Sequence, residues 1–135
     1  MSNKTYSSNY YKNALSLAYL GDSVFTLMVR NYLIVNYDFK PNMLNKKANL
    51  VVCARTQAEI MKEIKANLLE DELDIVMRAR NAHTNNKAKN STLEEYSLAT
   101  QFEALVGYWY LNNQNDKLNK MFSNYIENKL NSEEK

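Results

Sequence analysis

Only two glycines, Gly21 and Gly107, and one proline, Pro41, interrupt a chain of 135 residues. Sheets need frequent tight turns, and tight turns draw on those two residue types. Usage this far below average excludes a β-rich fold and leaves a predominantly helical one. The length suits a single domain over residues 1–135 with one real core, its polar ends, 1–12 and 131–135, expected to be poorly ordered.

The apolar pattern divides the chain into helices. One runs from near Asn13 to about Asn36, "NYDFKPN" breaks it, and Pro41 marks the next start. Two more fall between Leu44 and Leu68, jointed near "VVCAR". The next, from Glu70 to about Ala82, opens on acids and closes on Arg78 and Arg80, the order a helix dipole favours. A polar stretch, "HTNNKAKNS", leads to Thr92 and Glu95, spaced as a capping box, and to the helix "LEEYSLATQFEALVGYWYL". A last amphipathic helix spans about Lys117 to Leu130. Neither an internal repeat nor a linker is visible.

A lone cysteine, Cys53, allows no internal disulfide and fits a reducing compartment. The N-terminal residues lack the apolar core of a signal peptide, and no apolar run approaches the roughly 20 residues that span a bilayer. The expectation is a soluble cytoplasmic protein with no membrane role. A net charge of +2 is too small to imply a polyanionic partner, so any such inference rests on where the charges fall.

Two acids break the pattern. In "LSLAYLGDSVFTLMVRNYL", Asp22 shares a helical face with Leu15, Ala18, Phe25 and Val29, at the margin of the apolar surface. In "TQFEALVGYWYL", Glu103 is flanked by apolar residues nearly all round. Each acid lies within a turn of one of the two glycines, and a helix-interior glycine often marks close approach of another backbone. The economical reading is that the two helices cross tightly and their carboxylates face a common point. Two carboxylates in one dry site stay ionised only around a cation, and few all-oxygen ligands suit magnesium. Such an ion acidifies a bound water and stabilises charge on a phosphodiester. The alternative is an ordinary buried salt bridge, with Arg30 or Arg55 as partner, or a hydrogen-bond acceptor between helices.

The segment "YLGDSVF" resembles the signature of ribonuclease III catalytic domains, and "FEALVGYWYL" resembles that family's second motif. The likeness extends through "KPNMLNKKANLVVCARTQAEI" and "RARNAHTNNKAKNS", covers about Leu15 to Leu111, and is closest to the Mini-ribonuclease III branch, which lacks a double-stranded-RNA-binding domain. The resemblance implies an all-α, ribonuclease III-like endonuclease domain that works as a homodimer. It implies cleavage of double-stranded RNA with Mg2+, or Mn2+ in its place, leaving a 5′ phosphate and a 3′ hydroxyl. Asp22 and Glu103 match the family's catalytic, metal-binding acids, and the implied substrate is precursor 23S ribosomal RNA, with a ribosomal protein as a further partner. Leu15, Ala18 and Thr100 stand where longer members carry acids, which points to one tight metal site, with a second ion joining on RNA phosphates.

An A-form duplex is read mainly through phosphates and 2′-hydroxyls. Candidate contacts are Lys46 and Lys47, then Arg78, Arg80, Asn81, His83, Lys87 and Lys89; the second group has no balancing acid from Arg78 onward. The bland reading of Lys46 and Lys47 is a solvated helix face. Leu17, Leu20, Val24 and Met28 form a second apolar face on the first helix, which a homodimer would cover. The rival to catalysis is a ribonuclease III-like RNA-binding or ribosome-associated scaffold.

Overall fold

Sequence periodicity sets the elements, and packing decides where they break. The computed structural model describes residues 11, 13–82 and 92–132. Within them are α1 (Ala14–Asn36), α2 (Pro41–Asn49), α3 (Ala54–Ile64), a 3-10 turn (Lys65–Asn67), α4 (Glu70–Asn81), α5 (Leu93–Leu111), α6 (Asn115–Tyr125) and α7 (Glu127–Ser132). No strand occurs among the described residues, and no described helix is long and apolar enough to cross a membrane.

Local chemistry accounts for most boundaries. The Asn13 side chain accepts from the Leu15 amide at 2.9 Å and starts α1, and Thr92 Oγ1 accepts from the Glu95 amide at 3.0 Å and starts α5. Pro41, with no N–H to leave unsatisfied, opens α2. Glu72 reaches back to the Leu69 amide at 2.8 Å to open α4. The expected last helix is instead two, turning at Ile126. Ile126, at the turn, and Leu130, one helical turn further on, are both completely buried. Asn131, expected at a loose end, lies in α7 and accepts from the Tyr32 and Tyr37 hydroxyls at 3.1 and 2.6 Å.

α5 is the axis of the domain. Phe102, Ala104, Leu105 and Val106 are fully buried, and α1, α3 and α4 all pack against it, α1 most extensively. Phe25 of α1 meets Phe102 edge-on, with centroids 5.2 Å apart. A buried carboxylate joins the outer layer: Glu72 accepts from Trp109 Nε1 at 2.7 Å and pairs with Lys117, linking α4, α5 and α6.

The face of α1 set aside for a partner subunit is covered by the chain itself. Leu17 and Val24 are 4% and 8% exposed, and Leu20 and Met28 pack partly buried against the core. Periodicity marks apolar faces but not which neighbour covers them. The apolar side chains left in solvent on α1 are Tyr19, Leu27, Ile34 and Val35, at 83%, 66%, 64% and 72% exposure.

Candidate active site

The two glycines are the point of contact between α1 and α5. A Cβ added to Gly21 would lie 1.8 Å from the Glu103 carbonyl oxygen and 2.9 Å from the Gly107 nitrogen. One added to Gly107 would lie 2.2 Å from the Leu17 carbonyl oxygen. Backbone touches backbone here, and only a residue without a side chain fits on either helix. Residues next to such a crossing are forced toward each other.

Asp22 and Glu103 are those residues. Their carboxyl groups are within hydrogen-bonding reach of each other, and the Gln57 side chain, from α3, is within reach of Glu103 as well. Asp22 is exposed and Glu103 mostly covered, so the pair has one open and one shielded member. No ion pair among the described residues involves either acid, so neither Arg30 nor Arg55 neutralises them there. Glu72 shows how a neutralised buried acid looks in this fold, with a lysine and an indole on one oxygen. The pair at the crossing has no cationic partner of that kind among the described residues.

Burial, then the hydrogen bond and charge of Asp22, push the Glu103 carboxyl from 4.5 up to about 8, against the opposing effect of the Gln57 bond. Glu103 therefore holds its proton at neutral pH unless a cation replaces it. The folded pKa lies above the unfolded one, so this contribution is complete below pH 4.5 and is lost as pH rises through about 8. In chelator-treated protein, thermal stability should fall with pH across that window. Glu103→Gln should flatten the slope and stabilise the cation-free protein at alkaline pH by on the order of 1–3 kcal/mol. Melts across pH check this; parallel slopes for both proteins would refute the raised Glu103 carboxyl.

Among the described residues, no group of three or more His, Cys, Asp or Glu side chains is placed to hold a metal. The site offers a pair of carboxylates and an amide, all hard or neutral oxygen and nitrogen groups, with room for water at the Asp22 side. Gln57 is absent from the sequence-derived candidates. Its signal was a polar side chain on the apolar stripe Cys53, Gln57, Ile60, Ile64, the same anomaly that marked the two acids.

The candidate RNA contacts are scattered. Lys46, Arg80 and Asn81 are exposed. Lys47 is not on the surface: it is 6% exposed, and its buried Nζ lies over the Tyr37 ring at 4.8 Å to the centroid, with no hydrogen-bond partner among the described residues. Arg78 is balanced by an acid after all, donating to Asp74 at 2.6 Å and also to the Tyr11 carbonyl oxygen. Charge counting places both side chains outward, but α2 turns Lys47 onto Tyr37 and α4 turns Arg78 onto Asp74 and Tyr11. His83, Lys87 and Lys89 lie outside the described residues.

The ribonuclease III domain family matches residues 15–114. A Mini-ribonuclease 3 of Brevibacillus brevis is 42% identical over 106 residues, covering 78% of this chain and 79% of the relative. Its namesake in Staphylococcus aureus is 33% identical over 116 residues, covering 84% and 87%. A crystal structure of a Fusobacterium nucleatum protein superposes with a TM-score of 0.81 at 30% identity, covering 91% of this chain and 98% of that one. The matched span runs from the start of α1 to just beyond α5 and so contains the whole crossing. By sequence and by fold, the chain belongs to the ribonuclease III family, in its Mini-ribonuclease III branch, and is an endoribonuclease.

Proposed function

We propose that this endoribonuclease is a magnesium-dependent homodimer that cuts double-stranded RNA, its substrate being a duplex stem of precursor 23S ribosomal RNA. The observation that carries the chemistry is the carboxylate pair at the α1–α5 crossing, which no cationic side chain among the described residues neutralises. Few protein ligands and an all-oxygen anionic set fit magnesium, which keeps several waters and takes one or two carboxylates plus phosphate oxygens. Manganese accepts the same donors. When bound, such an ion stabilises charge on a phosphodiester and acidifies a coordinated water.

Asp22 and Glu103 would hold the ion. The crossing holds their main chains in register, so neither carboxylate has to be brought in by a loop. Asp22, exposed, lies on the side open to a phosphate, and Glu103, shielded, anchors the interior side. Their work is placement and charge rather than proton transfer.

Tyr19, Leu27 and Ile34 fall within about 80° of one another at 100° per residue and form an exposed apolar stripe. Asp22 borders that stripe. A second copy seated there would bring two carboxylate pairs to one duplex, one for each strand. Lys46, Arg80 and Asn81 supply exposed donors for the RNA backbone.

The purified protein, given duplex RNA of defined sequence with magnesium, should produce fragments with 5′-phosphate ends. EDTA should stop the reaction, and single-stranded RNA and duplex DNA should stay intact. Binding of duplex RNA with no magnesium-dependent cleavage would overturn the proposal in favour of the scaffold reading.

A further inference from the structure

We propose that Gln57 is the positioning residue of the carboxylate pair: its side-chain amide holds Glu103 in the orientation that lets both acids reach one divalent cation. The inference rests on the cation-dependent reading above and assigns a third helix to that site.

Gln57 is 4% exposed, on α3, among Thr56, Ala58, Ile60 and Met61, which are all buried as well. A primary amide brings two N–H donors and one acceptor into that apolar layer, and an apolar side chain of similar volume would avoid the desolvation. Three other buried polar side chains, Thr56, Gln101 and Glu72, have local or structural partners, and the buried Lys47 ammonium lies over the Tyr37 ring. Thr56 Oγ1 donates to the Leu50 carbonyl oxygen at 3.3 Å, Gln101 donates to Ser97 Oγ at 3.1 Å, and Glu72 takes Trp109 and Lys117. The Gln57 amide instead faces the Glu103 carboxyl, within hydrogen-bonding reach, from a helix that packs on α5.

The geometry gives that contact a purpose. A glutamate head group sits at the end of three rotatable bonds, and glycine contact at the crossing fixes only the backbone beneath it. α3 packs directly on α5, so a donor projecting from it restrains the head group from a rigid element. A carboxylate held by a hydrogen-bonding neighbour binds metal more tightly than one free to rotate, typically by about 10–100-fold. Asp22 has a shorter side chain and needs less restraint. One group from each of α1, α3 and α5 thus completes the site.

The test compares wild type, Gln57→Leu, Gln57→Met and Asp22→Asn, all as full-length protein. Manganese binding is measured by calorimetry without RNA at one pH, alongside thermal melts and steady-state cleavage of duplex RNA. Gln57→Leu and Gln57→Met should weaken manganese binding and lower kcat by about tenfold or more, with KM for RNA within about twofold and the melt little changed. Wild-type manganese affinity and kcat in both Gln57 variants would overturn the proposal. So would a parallel loss of stability, KM and kcat, or loss of the fold in both, since either makes Gln57 a structural support. Asp22→Asn separates the two levels: if it binds manganese like wild type, the carboxylate pair is not the cation site, and the reading beneath the proposal fails first.

Discussion

Gly21→Ala is expected to destabilise the protein by on the order of 3 kcal/mol and to abolish cleavage. In an exposed helix the same change would add about 1 kcal/mol of stability, so the expected sign is opposite to the intrinsic preference. The reason is the 1.8 Å that would separate the new Cβ from the Glu103 carbonyl oxygen. That oxygen belongs to the backbone of the central helix and cannot rotate away. Ordinary contact needs roughly 3.5 Å, so α1 and α5 would have to part by well over an ångström along their longest shared contact. Parting them also separates the carboxylates. Gly107→Ala, with 2.2 Å to the Leu17 carbonyl oxygen, should behave in the same way. Thermal melts and cleavage assays read both effects, and a wild-type melting temperature for Gly21→Ala would show that the crossing is looser than drawn.

Asp22→Asn should lower cleavage of duplex RNA by on the order of a thousandfold or more while the fold, RNA binding and self-association persist. Asparagine keeps the shape and a hydrogen-bonding oxygen but removes the charge that the exposed side of the site would offer a cation. Stability should hold or rise, because the charge of Asp22 is one of the causes that push Glu103 upward. Burial of Glu103 remains, so only part of its elevation should disappear. Single-turnover cleavage with purified magnesium, beside a melt and a filter-binding curve, separates these effects. Undiminished cutting would remove Asp22 from the site, and loss of RNA binding would make it a substrate contact instead.

Particular residues show how far sequence reasoning carries. Asn13, Pro41 and Thr92 mark helix starts because capping is local, decided by side chains within three residues. Asp22 and Glu103 stand out because an acid on an apolar helix breaks the pattern, whatever lies across from it. Lys47 and Arg78 read differently in the structure because a long cationic side chain reaches several ångströms, and only the neighbouring elements decide whether it ends in water. Lys47 ends over Tyr37, and Arg78 on Asp74 and Tyr11. The apolar faces of α1 pose the same problem, since Val24 and Leu27 are equally hydrophobic and only one is covered.

The order of residues alone determined that the chain is helical, where most helices begin, and that two acids with two adjacent glycines are its chemical anomalies. Those properties depend on backbone preference and on spacing within a turn or two. The tertiary structure decided that residues 22 and 103 meet and that Gln57 from α3 joins them. It also decided that no lysine or arginine among the described residues neutralises the pair. The register of α1 on α5 is set by the summed packing of side chains far apart in the chain, with Phe25 against Phe102 and each glycine against the other helix's backbone. No local stretch encodes that sum, so the meeting of the carboxylates becomes visible only when the helices are packed.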